Sequence, residues 1–186
     1  MATLIRIEPL TREAFAPFGD VIDEAGLVAF STNAGTATRI HELGVADCNA
    51  EGGRTLFSIF RTARPTLPDA LTLMERHPIS SQAFVPLGGE RMIAVVALPE
   101  QRPQAGDLRA FLSNGRQGVN YRRGTWHYPL IALDAGDFLV VDRAGPGQGF
   151  EQDYEEVALE PGTSLDAAGI GERPFVTSTS KGRKQS

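Results

Sequence analysis

The chain has 186 residues, of which 41% are apolar and 22% charged, a balance that belongs to folded globular proteins rather than to disordered or membrane chains. Its formal net charge of −5 argues against a general affinity for nucleic acid, and no stretch approaches the ~20 apolar residues of a membrane span. Cys48 is the only cysteine, which excludes an intramolecular disulfide and a cysteine-rich metal site, and no long apolar region follows the N-terminus, so a cytoplasmic protein is expected.

In chain order, Thr11 is placed to cap a short helix that runs through Phe15. Segments of β type follow at Thr36–Leu43, Thr55–Thr62, Gln82–Leu87 and Arg91–Leu98. The last is apolar without interruption after Arg91, as expected for a strand covered on both faces. Asp107 is placed to cap a second helix across Leu108–Leu112, and two more β-type segments come at Trp126–Leu133 and Asp137–Asp142. Pro86-Leu87-Gly88-Gly89 and Asp134-Ala135-Gly136-Asp137 carry the residues of tight reversals and mark hairpin corners. Gly145-Pro146-Gly147-Gln148-Gly149 lacks dinucleotide-binding spacing and reads as a loop.

This pattern predicts an all-β fold, a single β-barrel domain over residues 1–160 with one or two short peripheral helices. From Pro161 onward the pattern fades. The polar run Thr177–Ser186 cannot bury enough apolar area to order itself, so residues 161–186 are expected to be a C-terminal extension, partly disordered.

Acid/base or metal chemistry has few places to reside, because His41, His77 and His127 are the only histidines. His41, within Arg39-Ile40-His41-Glu42, reads as an ordinary surface or core residue. Glu75 and His77 are two apart, so on a strand they point to one face, with Gln82 returning on the next strand. In Gly124-Thr125-Trp126-His127 a glycine turn delivers the third histidine at the start of a strand. The order Glu75, His77, Gln82 and Gly88, then Gly124 and His127, resembles the two motifs of cupin barrels, with Glu75 replacing the first histidine and Gln82 the usual glutamate. That resemblance implies a cupin-like double-stranded β-barrel. The set Glu75, His77, Gln82 and His127 suits either a divalent metal such as nickel or a metal-free polar site. No nucleotide cofactor is expected, and no Gly-x-Ser-x-Gly elbow is present.

Longer segments resemble the ureidoglycolate lyase family, also called ureidoglycolate hydrolases. They include Leu10-Thr11-Arg12-Glu13-Ala14-Phe15-Ala16-Pro17-Phe18-Gly19, Ser58-Ile59-Phe60-Arg61, Met74-Glu75-Arg76-His77-Pro78, Ser81-Gln82-Ala83-Phe84-Val85-Pro86-Leu87 and Gly118-Val119-Asn120-Tyr121-Arg122-Arg123-Gly124-Thr125-Trp126-His127-Tyr128-Pro129. The resemblance covers nearly everything before Pro161 and is most specific around His77 and His127. It implies a homodimer that cleaves ureidoglycolate to glyoxylate and urea in allantoin breakdown. On that chemistry a general base takes the hydroxyl proton of the substrate while an acid protonates the departing urea. His77 or His127 would be the base and Tyr121 the other proton-transfer partner; Arg61 or Arg122 would hold the carboxylate, and Asn120 or Gln82 the urea amide. The alternatives are amidohydrolysis with release of ammonia, and a noncatalytic module that binds small acids.

Overall fold

The apolar run after Arg91 is explained by two cores, one on each side of the strand it forms. In the computed structural model, which describes residues 2–25, 27–147 and 153–171, every residue of Met92–Ala97 is buried. Met92, Ala94 and Val96 enter one apolar cluster with Phe84, Phe111, Val119, Phe138 and Val140. Ile93, Val95 and Ala97 point the opposite way, into a second cluster with Leu71, Met74, Trp126 and Leu159. Alternation along a strand sends successive side chains to opposite faces, so a two-sided core demands an unbroken apolar run.

The strands, in chain order, are β1 (Thr3–Pro9), β2 (Gly19–Ile22), β3 (Ala29–Thr32), β4 (Ala37–Ile40), β5 (Arg54–Thr62), β6 (Leu73–Arg76), β7 (Gln82–Pro86) and β8 (Met92–Ala97). They continue with β9 (Arg109–Leu112), β10 (Gly118–Tyr121), β11 (Trp126–His127), β12 (Ile131–Ala132), β13 (Gly136–Ala144), β14 (Glu155–Ala158) and β15 (Thr163–Asp166). Among the described residues they form an eight-stranded sheet, β14-β6-β11-β8-β9-β1-β15 with β12 also on β8, and a five-stranded sheet, β2-β10-β7-β13-β5. β3 and β4 make a separate hairpin. The fold is therefore mostly β, with two sheets sharing one apolar core and no continuous ladder closing them into one barrel among the described residues.

Several sequence expectations change here. Thr11 does cap a helix, α1 (Arg12–Phe15), by accepting from the Ala14 N–H at 3.2 Å, but the helix is not merely peripheral, since its Phe15 is fully buried against Phe111. Leu108–Leu112 is not a second helix. Arg109–Leu112 is strand β9, held between β8 and β1 with Ala110 and Phe111 fully buried, and Asp107 instead accepts backward from the Gln104 N–H. Burial between two strands outweighs a short local capping signal. The two glycine corners are not hairpins either, because each carries the chain from one sheet to the other. A Cβ at Gly136 would meet the Glu90 side chain from a backbone at φ 154°, so that corner favours glycine. Trp126–Leu133 is interrupted after His127, and β15 pairs in parallel with β1, so strand pairing continues past residue 160. Residues 172–186, where the disordered tail was expected, lie outside the described residues.

Candidate active site

Register lines up polar residues on the two sheets so that they face one another at one end of the shared core. On the five-stranded sheet Tyr121 pairs with Gln82, and Val141 pairs with Ala83, so the next step of the antiparallel ladder sets Asp142 beside Gln82. Alternation along β13 puts Asp142 in the inward row of Phe138 and Val140. On the eight-stranded sheet His127 pairs with both Val96 and Glu75. The two rows meet where the Tyr121 and His127 rings stack, with centroids 4.3 Å apart and planes 13° from parallel.

His77 follows the end of β6, and its ring centroid lies 5.5 Å from that of His127 and 6.3 Å from that of Tyr154. Its Nδ1 is 2.6 Å from the Asp153 carbonyl oxygen, and Nδ1 of His127 is 3.0 Å from the Thr125 carbonyl oxygen. A carbonyl only accepts, so both rings carry a proton on Nδ1 and turn Nε2 to the interior. Both Nε2 atoms are buried without a hydrogen-bond partner, as is Gln82 Oε1. Glu75 Oε1 lies 3.5 Å from His127 Nε2, near enough for an ion pair when the ring is protonated but too loose for an aligned hydrogen bond. Burial pushes the Glu75 carboxyl up, yet His127, His77 and Tyr154 together hold it below its ordinary value.

The chain also matches known proteins over most of its length. A family model described as ureidoglycolate lyase matches residues 2–166. The chain belongs to the ureidoglycolate lyase family. It is 51% identical to a Burkholderia cepacia protein named ureidoglycolate lyase over 166 residues, covering 88% of this chain and 90% of that one. With a Pseudomonas putida protein of the same name it shares 47% identity, covering 83% of this chain and 92% of that one. Among solved structures, the Mycobacterium tuberculosis rmlC epimerase is similar at 14% identity and a TM-score of 0.41, covering 74% of this chain and 67% of that one.

In this member of the ureidoglycolate lyase family the structure brings together Glu75, His77, Gln82, Tyr121 and His127. It does not bring in the other residues expected from the sequence. Arg61 is on the outward face of β5, paired with Asp137 at 2.7 Å. Five residues of strand separate it from Leu56, the partner of Asp142, or about 17 Å at strand rise. The exposed Arg122 donates to the Ala16 carbonyl. Asn120 alternates with Tyr121 and therefore faces away from the cluster, donating to Asp20 and to the Val45 carbonyl. Tyr121 is present, but burial, with Glu75 adding to it, drives its phenol strongly upward, so it keeps its proton.

Asp142, Asp153 and Tyr154 were not found from sequence. Asp153 accepts from the Ile79 N–H and the Ser80 hydroxyl, both at 2.6 Å, while its backbone carbonyl fixes His77. No periodicity marks it, because it follows a glycine-rich stretch of sequence.

The donors also bear on metal binding. Two imidazole Nε2 atoms, a carboxylate and the Gln82 amide oxygen suit a divalent ion chemically, and the Nδ1 bonds to carbonyls fix the rings with Nε2 free to bind one. Among the described residues no three His, Cys, Asp or Glu side chains gather closely enough to hold an ion as they stand, so Glu75, His77 and His127 would have to draw closer together, with Gln82, to do so.

Proposed function

We propose that the chain is a ureidoglycolate lyase, which splits ureidoglycolate into glyoxylate and urea as a step of allantoin breakdown. The observation that carries this is the pair of imidazoles with unpartnered Nε2 atoms in a chain whose family match runs over residues 2–166. Ureidoglycolate carries a hydroxyl, a carboxylate and a urea nitrogen on one carbon. Loss of the hydroxyl proton lets the carbon–oxygen double bond form as the carbon–nitrogen bond breaks, and the urea nitrogen takes up a proton. His77, with its Nε2 lone pair free, serves as the base. His127, backed by Glu75, serves as the acid in its protonated form. Tyr121 holds the His127 ring in place by stacking. Arg61 and Arg122 are engaged elsewhere, so neither holds the substrate carboxylate in this arrangement.

The same donors, Glu75, His77, Gln82 and His127, would hold a divalent ion such as nickel, which supplies charge that eases loss of the hydroxyl proton. No nucleotide cofactor enters this reading. The two facing sheets are read as an opened version of the cupin-like double-stranded barrel. A homodimer is supported by edge strand β5, where Phe57, Ile59 and Phe60 are 73%, 51% and 44% exposed on its two faces. No helix among the described residues is long and apolar enough to cross a membrane, and the free, buried Cys48 suits a cytoplasmic location.

The test is a product assay. Protein given ureidoglycolate releases equal amounts of glyoxylate and urea, without ammonia, faster than an enzyme-free control. Ammonia in place of urea would move the protein to the amidohydrolases, and no rate above the control would leave a binding module.

A further inference from the structure

Asp142 has no part in the proton transfers above, yet it occupies the interior row beside Gln82. A carboxylate loses much by leaving water, and an interior one normally finds donors to replace the lost hydration. Here Asp142 Oδ1 is buried with no partner. The neighbouring acceptor, Gln82 Oε1, is in the same condition. On adjacent antiparallel strands such side chains start from Cβ atoms about 5 Å apart, so the two oxygens form a pair of unmet acceptors on one wall. Burial pushes the Asp142 carboxyl up, and the nearby His77 ring is the one group that opposes that push. On the side of β5 the partner is Leu56, which offers no donor.

What this wall lacks is a ligand with two N–H groups on one edge. The urea end of ureidoglycolate has that edge, one N–H on the nitrogen that departs and an NH2 beyond the carbonyl. We propose that Asp142 is a substrate-binding residue which, with Gln82, recognises the N–H edge of the urea group and sets the departing nitrogen within reach of the histidines. The assignment rests on the lyase reading for its substrate, but its geometry requires only a ureide. A wall of acceptors also determines specificity, because an analogue without N–H groups leaves both oxygens buried and unpaired, the arrangement that gives sites their strongest discrimination.

The test compares the wild type with Asp142→Asn and Asp142→Leu. The first weakens the acceptor and the second removes it, and replacing an unpaired interior carboxylate by leucine does not depend on any hydrogen bond of the native fold. KM for ureidoglycolate is expected to rise about tenfold in Asp142→Asn and about a hundredfold in Asp142→Leu, the range for a bond to a charged acceptor. Product inhibition by urea is expected to weaken in parallel, while inhibition by glyoxylate stays at its wild-type level. Tetramethylurea, which has no N–H, is expected not to inhibit even the wild type. Unchanged KM and unchanged urea inhibition in a folded Asp142→Leu protein would overturn the assignment. Direct titration of each protein with urea, followed by NMR, needs no turnover. Wild-type protein that binds urea through Asp142 but does not cleave ureidoglycolate would sink the lyase reading and keep this one.

Discussion

Tyr121 and His127 come from different sheets and lie face to face, with ring centroids 4.3 Å apart. The contact ties the orientation of an imidazole to the spacing between the sheets. Offset ring stacks of this kind contribute about 1 kcal/mol beyond the area they bury. Tyr121→Phe keeps the ring and removes only a hydroxyl that retains its proton, so kcat is expected to fall less than tenfold. Tyr121→Ala removes the ring and is expected to lower both stability, by about 3 kcal/mol or more, and kcat. A loss of a hundredfold or more in a stably folded Tyr121→Phe protein would return Tyr121 to the proton-transfer role expected from the sequence.

His77→Ala and His127→Ala are each expected to lose 10²–10⁴-fold in kcat, the usual contribution of a positioned acid or base. The spontaneous decay of the substrate must be subtracted. Stripping the protein with a chelator separates the two uses of the same donors. Activity that survives chelation assigns the proton transfers to the imidazoles, and activity lost on chelation and restored by a divalent ion makes the histidines ligands.

How much of this was legible in the sequence differs between residues. The spacing of Glu75, His77 and Gln82 predicts their convergence, but by a different route from the one found: His77 lies just beyond the end of β6, and Gln82 reaches the cluster from the other sheet rather than from the next strand of a hairpin. Arg61 shows the limit: its neighbours read as a strand, but a one-residue change of register reverses which face a side chain takes, and sequence spacing alone does not set the register. Asp142 was hidden for the same reason. It lies on a correctly expected strand, and only the pairing of Val141 with Ala83 reveals that it sits beside Gln82. The misread helix at Leu108–Leu112 arose because a four-residue strand between two others is specified by its neighbours rather than by its own pattern.

Glu75 makes stability depend on pH in a defined direction. Its folded-state carboxyl is held below the ordinary value of 4.5, so its ionisation stabilises the fold fully above that pH, and the contribution is lost as pH falls through the folded value. The stability difference between wild type and Glu75→Gln is therefore expected to shrink as the pH is lowered below about 4.5. Urea melts at neutral and acidic pH measure it, and a gap independent of pH would contradict the pairing.

Edge strand β5 provides the test of assembly. Phe57→Asp and Ile59→Asp place charges on the outward face of the five-stranded sheet, away from the inward row that carries Asp142. Light scattering is expected to give a dimer for the wild type and a monomer for the double variant, with the fold retained. A monomeric wild type at working concentration would remove the homodimer.

The two apolar layers flanking β8 also set which strands open last. Exchange of its amides with solvent requires separating both apolar clusters at once, so β8 is expected to exchange only with global unfolding. The five-stranded sheet ends in β5, an edge strand with exposed side chains on both faces, and within a single chain that edge opens at far lower cost. The site therefore joins a layer held from both sides, where His127 pairs with β8, to a sheet whose outermost strand is held on one side only.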